Sequence, residues 1–111
     1  MENWNIRMDM DNYQKAAAST AIYPKETALE YCLLQLASEA GEAAGKLGKA
    51  LRKGVPVDPD ALAYELGDVL WYVANTAREI GYDLSEIAGM NISKLTSRAD
   101  RGVIHGDGDN R

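Results

Sequence analysis

The sequence contains no phenylalanine, one cysteine, one histidine and three prolines among its 111 residues. β-Branched residues are few and scattered, so the period-2 alternation that builds a sheet is missing. Cys32 has no second cysteine with which to close an internal disulfide. That fits a reducing compartment and makes the cytoplasm the expected location. No CxxC and no GxxxxGK[ST] occurs, which excludes the paired-cysteine motifs and the P-loop. No apolar run is long enough to span a bilayer. The first residues (Met1, Glu2, Asn3, Trp4) lack the basic-then-apolar order of a secretory signal, so none is expected.

Basic charge is also in short supply. Seventeen acids face twelve lysines and arginines, for a net charge of −5. This argues against a broad basic surface for nucleic acid. It leaves room for a small phosphorylated ligand, because bound metal ions reverse the sign of the field inside a site.

What is present favours helix. Ala, Leu, Glu and Lys dominate, and 46% of residues are hydrophobic, ordinary for a globular domain. The length suits one domain, residues 1–111. A chain this short buries only about two thirds of the surface exposed when unfolded, so a helical core of this size is expected to be completed by oligomerisation.

Four helical segments can be placed. The first runs from Met10 to Thr20, with Tyr13, Ala16 and Ala17 as apolar positions. The second follows Pro24, where Thr27 and Glu30 have capping-box spacing. Its apolar stripe is Leu29, Leu33, Leu36, Ala40, Ala43, Leu47 and Leu51, and Gly54, Val55 and Pro56 stop it. Small residues around Ala40, Gly41, Ala43, Ala44 and Gly45 would let another helix approach. The third opens at Asp58-Pro59, carries Leu62, Leu66, Val69, Val73, Ala77 and Ile80, and ends at Gly81. The fourth starts with a second capping arrangement, Asp83 and Glu86, and reaches about Arg98. Residues 99–111 form a glycine-rich tail. The expected fold is an all-α four-helix bundle.

Projected at about 100° per residue, Glu39 and Glu42 share the flank of the second helix's stripe, and Lys46, Lys49 and Lys53 continue the row. On the third helix Glu65, Asp68, Tyr72, Asn75 and Glu79 form a matching row beside its stripe. If the stripes face each other, both carboxylate pairs meet at one edge of the interface. Gathered carboxylates repel unless a cation compensates, and Mg²⁺ prefers such oxygen ligands. A solvated face is the plainer reading of one Glu-x-x-Glu, since Glu42 and Lys46 are a favourable i,i+4 pair. The second row carries three acids and no lysine or arginine, so the two pairs together make a stronger signal.

The segment Leu36-Ala-Ser-Glu-Ala-Gly-Glu-Ala-Ala-Gly-Lys46, followed by Tyr64-Glu-Leu-Gly-Asp-Val-Leu-Trp-Tyr-Val-Ala-Asn75, resembles the MazG-like family of all-α nucleoside triphosphate pyrophosphohydrolases. The family pattern, ExxE then ExxD, is met by Glu39, Glu42, Glu65 and Asp68. Asn91-Ile-Ser-Lys94-Leu-Thr-Ser-Arg98 also resembles the family's closing helix, and the resemblance spans about residues 13 to 102.

It implies Mg²⁺ on the four acids, with Mn²⁺ as a substitute, and hydrolysis at the α-phosphate to a monophosphate and pyrophosphate. Glu39 or Glu42 would take the proton from the attacking water. It also implies a homo-oligomer, a dimer or a tetramer of dimers. Lys46 and Lys49 are candidates for phosphate contact or for solubility alike. Lys94 and Arg98, sharing a face with Asn91, are candidates for phosphate, and Asn75 for sugar or base.

Trp71 projects away from the acidic row and reads as packing, and Cys32 as a small buried hydrophobe. The tail, with Arg101, His105 and Arg111 among its glycines, resembles the endings of some phage-encoded and actinobacterial members. It is read as a cover for substrate, the alternative being a frayed terminus. The single-domain form and GDNR ending lean toward a nucleotide-pool enzyme acting on dGTP or GTP, in a host cytoplasm if phage-encoded. The alternatives are a dUTP or dCTP pyrophosphatase of the same superfamily, or a non-catalytic helical interaction module. A di-iron carboxylate bundle is discarded, because it needs Glu-x-x-His pairs and the histidine lies in the tail.

Overall fold

The computed structural model describes residues 7–106, 108 and 109. Its helices are α1 (Met10–Ser19), α2 (Ala28–Lys53), α3 (Pro59–Glu79) and α4 (Leu84–Asp100), with a 3₁₀ turn at Lys25–Thr27 before α2. Among the described residues there is no strand, and the all-α expectation holds. None of these helices is long and apolar enough to cross a membrane.

Most helix ends follow local chemistry. Asp9 accepts from the Asn12 backbone N–H at 2.8 Å and starts α1. Asp58 accepts from the Asp60 N–H at 3.0 Å, with Pro59 in the first turn of α3. The α4 capping box forms, the Glu86 carboxylate accepting from the Asp83 N–H at 2.8 Å. Gly54 closes α2 at φ 67°, and Gly81 follows α3 at φ 86°. Both sit in left-handed backbone that glycine adopts without a Cβ penalty. The cap expected at Thr27 does not form. Its backbone, at φ −126° and ψ 27°, is not the extended conformation a cap needs, because the 3₁₀ turn already feeds the chain into α2.

α3 is the spine of the molecule. α2 runs beside it as the other arm of a long hairpin and approaches no other helix, whereas α1 and α4 pack on α3 and on each other. The core at this second junction is small: Ala17, Ala74 and Leu84, with Tyr13, Trp71 and Val73 against it. Buried polar side chains tie it together. Gln14 donates to the carbonyls of Ala74 (3.2 Å) and Tyr82 (3.0 Å) and accepts from the Leu84 N–H (3.0 Å), joining α1, α3 and α4 through one amide. Asp11 accepts from both the backbone N–H (3.0 Å) and hydroxyl (2.7 Å) of Ser85, in the first turn of α4. The hydroxyl bond first, and the backbone bond after it, hold the Asp11 carboxyl below its usual range.

Only part of the expected stripe of α2 is covered. Leu29, Leu33, Leu47 and Leu51 are between 39% and 72% exposed. The covered line keeps Leu36 and Ala43 from the stripe and adds Ala28, Cys32, Glu39 and Ala50, so that it is centred about a quarter-turn round the helix. Ala28, Cys32 and Ala50 are buried along this line, and one neighbour covers only about 100° of a helix. On α3, Leu66 and Ile80 are exposed too, while Ala77 is buried. Gly41 and Gly45 meet nothing within 4 Å beyond their own helix, so the close approach expected at these small residues is not made by a helix of the same chain.

Candidate metal and nucleotide site

Turning α2 by that quarter-turn carries its acidic flank onto α3. Glu39 and Glu42 lie three residues apart on α2, and Glu65 and Asp68 three apart on α3, so each pair shares a helix face. One carboxylate oxygen from each of Glu39, Glu42 and Glu65 falls within 4.8 Å of the others. Asp68 adjoins them. It lines a cavity of about 410 Å³ together with Glu39, Thr20, Trp71 and Tyr72, and its charge acts on Glu39.

This proximity is electrostatically strained. The Glu39 pKa is pushed up to about 7, first by the hydrogen bond it shares with Glu42, then by burial and by the charges of Glu42, Asp68 and Glu65. Two carboxylate oxygens, Glu39 Oε2 and Glu65 Oε2, are buried with no hydrogen-bond partner. Buried acceptors without donors are costly and uncommon. A hard divalent cation would satisfy both oxygens and cancel the repulsion, so the residues present fit Mg²⁺ or Mn²⁺.

The other expected site residues are not all brought to one place. Lys46 stands at the acids, its Nζ 3.8 Å from Glu65 Oε1, across the helix pair rather than along α2 to Glu42. Lys49 is exposed on the same helix. Asn91 lines a separate cavity of about 600 Å³ with Tyr13, Leu70 and Ile87. Tyr13 is close enough to Asp68 to feel its charge, and burial and that charge both raise the phenol's pKa. Lys94 and Arg98 both bind the tail through Asp109. Arg111 lies outside the described residues.

Asn75 is a correction. Its side chain is fully buried, the amide nitrogen donates to the carbonyls of Trp71 (3.1 Å) and Ala17 (3.5 Å), and the oxygen accepts from Arg78 (3.2 Å). With both ends of the amide committed inside the fold, it serves packing rather than a sugar or base.

Trp71 packs against the Ala17, Ala74 and Leu84 core as expected, and it has a second environment as well. It lines the cavity with Glu39 and Asp68, and its indole N–H donates to the Thr20 hydroxyl at 2.9 Å. Its ring meets Tyr72 edge-on at 4.8 Å and Tyr23 at 6.3 Å, while Tyr31 stacks on Tyr23 at 5.6 Å. The signal was available: Trp71 follows Asp68 by three residues, which places both on one helix face.

The arrangement of two acidic pairs on an antiparallel helix pair can now be set beside known proteins. Residues 27–103 match the MazG nucleotide pyrophosphohydrolase domain. The chain belongs to that family. All four acids, Trp71, Tyr72, Lys94 and Arg98 lie inside the MazG match. Along nearly its whole length this MazG chain is also similar to a curated phage protein, the Gene 37 protein of Mycobacterium phage L5. The two are 46% identical over 114 residues, covering 94% of this chain and 100% of the relative. No solved structure matches.

Proposed function

We propose that the chain hydrolyses a nucleoside triphosphate at the α-phosphate, giving a monophosphate and pyrophosphate, with Mg²⁺ held by Glu39, Glu42, Glu65 and Asp68. The observation that carries this reading is the meeting of three glutamates from two helices within 4.8 Å, with two buried oxygens left unpartnered. When bound, Mg²⁺ supplies neutralisation of the polyphosphate and acidification of nearby water. The chain's own groups supply the rest. Of the two candidate bases, Glu39 is the better enclosed, its Oε2 buried without a hydrogen-bond partner at the cavity that Asp68 also lines, and as base it would serve in place of ligating the metal. Lys46 stands beside Glu65 to meet phosphate, and Lys49 lies one turn further along α2. The cavity beside the acids, walled by Trp71 and Tyr72 with the Thr20 hydroxyl at its edge, offers aromatic faces and a polar group to the nucleoside.

The first substrates to test are dGTP and GTP, followed by dUTP and dCTP, each with and without Mg²⁺, with monophosphate, diphosphate, phosphate and pyrophosphate resolved. Metal-dependent release of pyrophosphate supports the proposal. Turnover of none of the common nucleotides leaves the interaction-module reading in its place.

The homo-oligomer belongs to the same proposal. The exposed leucines of α2, with Leu66 and Leu70 on α3, form an apolar surface that a second copy would cover. It would also bring a second set of helices toward α2, which within one chain packs on α3 alone among the α-helices. Light scattering of Leu47→Glu/Leu51→Glu is expected to show a monomer where the wild type is a dimer or tetramer. A wild type that is monomeric at micromolar concentration overturns the assembly. The similarity to a phage protein supports the host cytoplasm as its place of action.

A further inference from the structure

The segment after α4 turns back along it. Gly102, at φ 73°, reverses the chain, and the Val103 N–H bonds the Arg98 carbonyl at 2.9 Å. A second left-handed glycine, Gly108 at φ 78°, then delivers Asp109 to α4. There a single carboxylate oxygen, Asp109 Oδ1, meets Lys94 Nζ at 3.1 Å and Arg98 Nη2 at 3.2 Å. The same Nη2 also donates to the Gly108 carbonyl at 3.3 Å.

The two sides of this contact are unequal. The Arg98 side chain is only 4% exposed and its Nε has no partner, whereas Asp109 is 82% exposed. Lysine and arginine one turn apart, one of them fixed by burial, form a prebuilt seat for an anion. Asp109 fills it incompletely, offering one oxygen to two cations and nothing to Nε. A phosphoryl group carries three oxygens in a fan that can meet Nε, Nη2 and Nζ together. Lys94 and Arg98 also hold the Asp109 carboxyl well below its usual pKa range, so it stays charged at neutral pH.

We propose that Asp109 is an internal competitor, a tail carboxylate that occupies the Lys94–Arg98 anion seat until a polyphosphate displaces it. This rests on the reading that Lys94 and Arg98 meet phosphate, and it adds regulation to that site: ligand entry and release of the tail become one exchange. A charge-matched latch also keeps the buried guanidinium compensated between ligands, which a bare seat would not. Because one partner is exposed, the latch is weak enough to be displaced.

The test is inorganic pyrophosphate titrated into the full chain without Mg²⁺, followed by calorimetry. Asp109→Asn is expected to tighten binding by about fivefold, the size of one exposed charge contact, and Lys94→Gln to weaken it. Hydrogen exchange over residues 103–109 should quicken in the wild type as pyrophosphate saturates. A merely structural strap predicts lower thermal stability for Asp109→Asn with unchanged or weaker pyrophosphate affinity, and that result overturns the latch. So does failure of both wild type and Asp109→Asn to bind pyrophosphate. The readout is independent of turnover. Tightened binding in a chain that hydrolyses no nucleotide keeps the latch and sinks the hydrolase. Turnover with no effect of Asp109→Asn does the reverse.

Discussion

The two junctions on α3 treat polar groups in opposite ways. Where α1 and α4 meet α3, Gln14 bonds three backbone groups, Asn75 has both ends of its amide occupied, and Asp11 takes two donors from Ser85. Where α2 meets α3, Glu39 and Glu65 each bury an oxygen without a donor, and like charges crowd. The first junction is complete by itself and fixes the fold. The second is not satisfied by the protein's own donors, an arrangement that a divalent cation would fit. Polar groups closed on one another stabilise; polar groups held open against their own repulsion are available for a ligand.

The contrast is broken most sharply by removing charge at the open junction. Asp68→Asn and Glu42→Gln should each lower kcat/KM by about a thousandfold, the several kcal/mol a metal ion contributes to such a transition state. The helical circular dichroism should persist, and stability without metal should hold or rise because a repelling charge has gone. Activity retained in both variants would remove the four-acid assignment.

The closed junction should give the reverse pattern. Gln14→Leu strands the Leu84 N–H and two carbonyls, and is expected to cost about 3 kcal/mol of stability in urea unfolding. Turnover per folded molecule should stay unchanged. Near-neutral stability would show that the amide is not what joins the three helices.

A smaller effect lies in pH. The Glu39 carboxyl holds its proton up to about pH 7 in the folded chain, against 4.5 for the ordinary group. Its contribution to stability is therefore complete below pH 4.5 and is lost as pH rises through 7. Without metal, the melting temperature of the wild type should fall relative to Glu39→Gln over that window. Saturating Mg²⁺ should cancel the fall, because the cation replaces the proton as the compensating charge. A difference between the two proteins that is flat with pH, with and without Mg²⁺, would show the acids to be merely solvated.

Where the determinants were local, the sequence was readable. Asp58-Pro59, the Asp83–Glu86 box, Gly54 and Gly81 marked helix ends by rules that need only a few neighbouring residues. The acids were found because ExxE and ExxD place both members of a pair on one helix face whatever the helix packs against. Thr27 failed as a cap because a 3₁₀ turn, set by the chain before it, took the backbone elsewhere. Asn75 is buried against Ala17, and Trp71 lines the cavity as well as packing on the core: helix periodicity places a side chain on a face but does not say whether Ala17 or a cavity lies opposite it. Gln14 gave no signal at all, since its three partners come from residues 74 to 84.

By itself, then, the sequence determined four helices, most of their ends, and two acidic pairs that each share one helix face, because helix geometry and capping act over a turn or two of chain. Only the tertiary structure decided which arc of α2 meets α3. There Ala28, Cys32 and Ala50 are buried while Leu29, Leu33, Leu47 and Leu51 stay exposed, because a single neighbour covers only part of a helix. That choice drew the carboxylates together and left most of the leucines on the outside. Each of these depends on contacts between residues distant in sequence, which no local pattern encodes.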